Sequence, residues 1–325
     1  MSDPEVRSSQ SPDDLEWSWD EAMPVRWWVH ILLFFLACGT TLLAGIVFAE
    51  GDPFALETWK DGALVMRGAS FSVAVMAIIF AHEMGHYLWA LKHKVPVSPP
   101  YFLPGLPIPF VGVIPLMGTF GAFIRMELRP LGAKKLLDIG AWGPLAGFIV
   151  TVPVLMLGYA LSDVRPLPTE QDVEGVMRLG DTLLLLLGEA IFFPNIPEGH
   201  DVFLHPVAMA GWTGGFLTAF NLLPIGQLDG GHVAYSVFGE RFNRVAPFFF
   251  YALIVAGVVG FPGWLLLAAL LWRMRPEHPD IIRGGFVRGK DLWLAIASLV
   301  MFVLTFTPQP IVGPTLLDAL LGYLQ

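Results

Sequence analysis

Residues 70–91 form an apolar run long enough to cross a bilayer, and His82, Glu83 and His86 stand inside it. A hydrocarbon core about 30 Å thick needs roughly 20 apolar residues per helix. Ionisable side chains are costly at that depth, so three within five residues mark a functional site rather than ordinary packing. Two histidines four apart share one helix face and can direct a nitrogen each at a single zinc ion. Glu83 follows His82 by about 100° around the helix. It can act as general base on water activated by the metal without occupying the metal itself.

The rest of the chain shares this solvent preference. Of 325 residues, 55% are hydrophobic and 14% charged, with a mean hydropathy of +0.62. Soluble proteins carry about 25% charged residues. These values predict an all-α polytopic membrane protein, and they exclude a soluble enzyme with one anchor. Part of the net charge of −9 comes from Asp3, Glu5, Asp13, Asp14, Glu16, Asp20 and Glu21. Residues 1–26 therefore read as a polar, flexible tail. It lacks the basic start of a secretory signal and is expected to stay on the mature protein. Cys38 is the sole cysteine, which excludes an internal disulfide and a cysteine-ligated metal site. No basic patch is interleaved with exposed aromatics, so nucleic acid is not an expected partner.

Apolar runs at 27–49, 70–91, 136–161, 205–223, 245–260, 264–272 and 292–306 predict about six to seven transmembrane helices. The 245–272 stretch reads either as two spans around Phe261-Pro262-Gly263 or as one kinked helix. Residues 181–193 are apolar but short, and 316–324 suggest a terminal interfacial helix. The basic clusters are Lys92 and Lys94, Arg125 to Lys135, Arg241 and Arg244, and Arg273 to Lys290. All fall on one side if the N-terminus is cytoplasmic and 245–272 crosses twice. That topology puts the histidines and the polar end of the 205–223 span at similar depth near the cytoplasmic face.

Residues 99–124 are apolar but rich in proline, which forbids a continuous helix. Irregular backbone at membrane depth must lie against protein or a water-filled cavity. The expectation is a re-entrant loop beside the metal, with a β-hairpin within 111–124. Gly140, Gly143 and Gly147 have small-residue spacing, read as close packing against the histidine-bearing helix rather than dimerisation.

A catalytic zinc site takes three protein ligands and keeps one position open. Asp229, beside two glycines at the end of an apolar span, reads either as the third ligand or as a helix cap. His232 competes with it, although a surface histidine at the membrane boundary accounts for it more simply. His30, His93, His200, His205 and His278 read as loop or interface residues.

His82-Glu83-Met84-Gly85-His86 together with Asn221-Leu222-Leu223-Pro224 and Leu228-Asp229-Gly230 resembles the site-2 protease family of intramembrane zinc metalloproteases. Gly143-Pro144-Leu145-Ala146-Gly147 resembles that family's Gly-Pro element. Gly118-Thr119-Phe120-Gly121 is similar to a loop of its branch in bacteria and chloroplasts. The likeness covers about 70–232, the expected catalytic core of a single membrane domain at 27–325, without room for a PDZ domain. It implies one zinc ion held by His82, His86 and Asp229, with Glu83 catalytic. It also implies that Asn221, Pro224 and the Gly118–Gly121 loop support the site or the substrate. The implied partners are the lipid bilayer and a transmembrane protein substrate, in an inner cell membrane.

Two other classes account for part of the pattern. A different membrane HExxH protease would use a glutamate third ligand, for which Glu189, Glu240 and Glu277 are available. A metal transporter would use the histidines as transit ligands, but the chain lacks an internal repeat and Glu83 would have no role.

Overall fold

The computed structural model describes residues 25–106, 117–126, 131–167, 177–274, 277–282, 285–313 and 315–318. The acidic segment before residue 25, the centre of the proline-rich loop at 107–116 and the end of the expected terminal helix lie outside the described residues.

Helices dominate. They are α1 (Trp27–Phe48), α2 (Gly62–Lys92), α3 (Ala133–Ala160), α4 (Leu183–Phe192), α5 (Pro206–Asn221), α6 (Asp229–Phe238), α7 (Glu240–Val259), α8 (Gly263–Met274) and α9 (Leu292–Thr305). Among the described residues, α1, α2, α3 and α7 are long and apolar enough to cross a membrane. The run expected at 205–223 becomes α5, whose 16 residues reach about 24 Å. Its burial on almost every side explains why it can be short: α2 and α3 enclose it. The 245–272 stretch is broken at 260–262 into α7 and α8, which pack on each other.

Three small antiparallel pairs qualify the all-α expectation: β1 (Tyr101–Pro104) with β2 (Thr119–Phe123), β3 (Asp163–Pro166) with β5 (His200–Phe203), and β4 (Arg178–Leu179) with β6 (Ile311–Val312). The hairpin expected within 111–124 is placed differently. The strand at 119–123 pairs with 101–104, in the register Tyr101↔Phe123 and Phe102↔Ala122, with a bulge before Pro104↔Thr119. Proline at 104 ends the regular ladder because it has no N–H to donate.

Helix α1 crosses α2 through small residues. A Cβ on Gly45 would lie 2.2 Å from the Gly68 carbonyl oxygen. Beside this contact the buried hydroxyls of Thr41 and Ser72 are 2.7 Å apart. Interhelical hydrogen bonds between membrane helices contribute about 0.5–2 kcal/mol. Thr41→Val is therefore expected to lower stability by that amount, read as the midpoint of unfolding from detergent micelles. An unchanged midpoint would remove the pair from the account of α1 docking.

Candidate active site

Helix α3 holds the site together because both helices that carry the converging side chains rest on it. Its Gly143 sits against His86, where a Cβ would come 2.0 Å from Nε2. Gly147 lies under His82, where a Cβ would be 3.2 Å from Nδ1. In return, a Cβ on Gly85 of α2 would meet the Trp142 carbonyl oxygen at 2.3 Å. Gly140 faces α6, 2.8 Å from the His232 Cβ by the same measure. The small-residue spacing of α3 is thus used inside the chain, against the histidine-bearing helix and the Asp229 helix. Pro144, within α3, has no N–H to return to the Gly140 carbonyl.

His82, Glu83 and His86 are 7%, 5% and 7% exposed. The Nε2 atoms of the two histidines are 3.1 Å apart. His86 Nδ1 donates to the Ile139 carbonyl at 2.7 Å. A carbonyl only accepts, so the proton sits on Nδ1 and Nε2 presents its lone pair to the centre of the site.

Asp229 comes to the same point from a different direction. The chain leaves α5 at Asn221, turns through Pro224 and Gly226, and starts α6 at Asp229. Gly226 adopts a positive φ of 54° in that turn. The turn is tight enough to require the next two glycines. A Cβ on Gly230 would lie 2.0 Å from the Leu222 carbonyl oxygen, and one on Gly231 would lie 2.3 Å from that of Gly226. The Asp229 carboxylate faces the histidines, with Oδ2 3.3 Å from both Nε2 atoms. Of the two meanings the sequence allowed, contact with the histidines is the one the geometry favours over a cap.

These three atoms form a triangle with edges of 3.1–3.3 Å. A tetrahedral zinc shell with bonds of about 2.0 Å has ligand–ligand edges of about 3.3 Å. The donor set of two imidazoles and one carboxylate also suits zinc and leaves a fourth position for a reactant. Among the described residues, this is the group of three or more metal-ligating side chains that converges within 4.8 Å. Glu189, Glu240 and Glu277 are not part of it.

A cleft opens beside the triangle. It is lined by His82 and Glu83, by Phe120, Gly121 and Ala122 of β2, and by Gly214, Thr218 and Asn221 of α5, among others. Asn221 Nδ2 donates to His82 Nε2 at 3.2 Å. Of the loop residues singled out from the sequence, Phe120 and Gly121 face the cleft. Gly118 and Thr119 shape the loop behind it. Gly118 has a φ of +73°, and a Cβ there would lie 2.3 Å from the Thr40 carbonyl oxygen of α1. The Thr119 hydroxyl donates to the Leu103 carbonyl at 2.9 Å and accepts from the Gly121 N–H at 3.0 Å. Pro224 stays in the turn before α6, away from the cleft lining.

Two histidines are more enclosed than the sequence suggested. His232 is half-buried rather than exposed, and its Nδ1 is 2.7 Å from His278 Nε2. His278 lies in a loop, as expected, but is 2% exposed. The Ile139 carbonyl was also invisible beforehand, since a backbone acceptor leaves no residue-type signal.

A model of peptidase family M50 matches residues 70–261, which include the triangle, Glu83 and most of the cleft. The chain belongs to this family. This M50 chain is 34% identical over 241 residues to "Probable zinc metalloprotease EGY1, chloroplastic" of Oryza sativa subsp. japonica, covering 72% of this chain and 39% of that one. The protein of the same name from Arabidopsis thaliana is 29% identical over 324 residues, or 89% of this chain and 55% of that one. "Probable zinc metalloprotease EGY2, chloroplastic" of Oryza sativa subsp. indica is 31% identical over 207 residues, 63% and 35% of the two chains. The M50 chain thus spans about half or less of the length of these curated relatives. No solved structure matches it significantly.

Proposed function

We propose that this chain is a zinc-dependent endopeptidase that cleaves transmembrane segments of other proteins within the bilayer. The observation that carries the reading is the triangle of His82, His86 and Asp229 at tetrahedral-edge spacing, set inside an apolar helix and next to a carboxylate that opens on a cleft. In this reading one zinc ion per chain is held by those three side chains. Bound zinc supplies Lewis acidity, which polarises a peptide carbonyl and acidifies water.

The chain's own residues do the rest. Glu83 takes a proton from the attacking water and returns it to the leaving amine nitrogen. Ile139 keeps His86 in the tautomer that offers Nε2. A transmembrane helix hides its peptide bonds in its own hydrogen bonds, so the substrate must unwind locally. The edge of β2 at Phe120–Ala122 offers strand pairing to the unwound segment. Asn221, already beside His82, is placed to donate to the substrate backbone.

The reading includes a single membrane domain over 27–325 with a cytoplasmic tail before it, about six to seven spans and a re-entrant loop at 99–124. It places the site nearer the cytoplasmic face of the cell membrane. Support comes from the basic clusters and from the common depth of α2 and α5 around the cleft.

The test is cleavage in proteoliposomes that contain the full chain and a single-span substrate. Chelation is expected to abolish cleavage within the span, and added zinc to restore it. Cleavage that continues with metal removed would overturn the proposal. Zinc flux without proteolysis would favour the transporter class instead.

A further inference from the structure

Helix α6 is only 10 residues long, yet its first residue is Asp229. A helix of that length does not hold its position without tertiary contacts. Helix α3 supplies one contact at Gly140, and the 222–226 turn supplies another at Gly230 and Gly231. Besides packing on α7 and α9, α6 is held by described residues of the segment between α8 and α9, beyond those that the family model matches.

His278 is the centre of this segment. Its Nδ1 donates to the Pro279 carbonyl at 2.7 Å. Its Nε2 is therefore an acceptor, and His232 Nδ1 donates to it at 2.7 Å. Burial pushes the His278 imidazole below its ordinary range, which keeps it neutral and suited to accept. The ring stacks on Tyr235 of α6, with centroids 4.2 Å apart and planes 12° from parallel. The Tyr235 hydroxyl donates to Asp280 at 3.0 Å. Asn243 of α7 brackets the His278 backbone, accepting from its N–H and donating to its carbonyl, both at 2.9 Å. The Val287 N–H donates to the Ser236 carbonyl at 3.1 Å. The same segment is tied to the start of α3, where the Leu131 N–H donates to the Ile281 carbonyl at 2.7 Å. One piece of chain thus joins the helix that carries Asp229 to the helix whose Ile139 carbonyl orients His86.

We propose that residues 278–282, together with Val287, form a clasp in which His278, acting through His232 and Tyr235, is a positioning residue that sets Asp229 at its distance from the two histidines. His278 touches neither metal nor substrate. Its effect is on the geometry of the carboxylate, and so on metal affinity and ligand field. The inference rests on Asp229 being a metal ligand.

The test uses the full chain in detergent micelles with Co²⁺ as the metal. Wild type is expected to bind stoichiometrically, and Asp229→Ala to lose that binding. His278→Ala is expected to weaken Co²⁺ affinity by about 10–100-fold, as loss of an outer support does, and to shift the visible Co²⁺ absorption. His278→Gln keeps an acceptor for the His232 N–H and is expected to recover most of both. A merely structural role would lower the unfolding midpoint of the metal-free chain and leave affinity and spectrum alone, which would overturn the clasp. If His278→Ala does not fold, Tyr235→Phe removes only the bond to Asp280. It is expected to weaken affinity to a smaller extent, and an unchanged affinity overturns the proposal equally. Binding by Asp229→Ala at the wild-type level would instead sink the ligand reading, and the clasp with it.

Discussion

Glu83→Gln is expected to lower the rate of peptide cleavage by about 10²–10⁴-fold, the usual contribution of a positioned general base. Glutamine has nearly the same shape, so the 5%-exposed pocket around it is filled as before. It cannot accept the proton of the attacking water. Glu83 is not one of the three converging atoms, so metal binding is expected to persist at the wild-type stoichiometry. The fold is expected to be no less stable, because a carboxylate is costly to hold in an apolar span. Initial rates on a single-span substrate, measured with metal content on the same sample, separate the two effects. A variant that keeps both its metal and its rate would remove Glu83 from the mechanism.

Gly143→Ala is expected to fail in a different way, losing metal and activity together. The added Cβ would stand 2.0 Å from His86 Nε2, the atom that faces Asp229. No rotamer of alanine relieves this, so the imidazole must swing or α3 must withdraw from α2. Withdrawal would also open the close contact of Gly85 on the Trp142 backbone, one residue away. Overpacking of this kind costs about 1–3 kcal/mol. The displaced ring would also lose its bond to Ile139. The expected result is absent Co²⁺ binding with a lowered unfolding midpoint, against intact binding in Glu83→Gln. Normal metal content in Gly143→Ala would mean that α3 does not press on His86 as described.

Much of the site was legible in the sequence because its signals are local. The His82/His86 pair depends only on helix periodicity, and the cost of their depth only on the surrounding apolar run. The break between α7 and α8 was foreshadowed by Pro262-Gly263. The hairpin was less legible: both of its strands were expected within 111–124, but the strand at 119–123 pairs with 101–104 across the loop, and local pattern does not select a partner. The contact between the histidines at 232 and 278, and the burial of His278, were missed for the same kind of reason. A histidine near a span end is most simply a boundary residue until a distant segment folds over it.

The sequence by itself determined that this chain is mostly membrane-type helix, that one helix carries two imidazoles and a carboxylate, and that glycines crowd the helix beside it. Only the tertiary structure decided which distant carboxylate meets the histidines, which backbone oxygen orients His86, and which loop residues reach the cleft. The physical reason is one of range. Hydropathy and periodicity act within a few turns, whereas a triangle of donor atoms about 3 Å on an edge is set by close helix contacts between segments far apart in the chain.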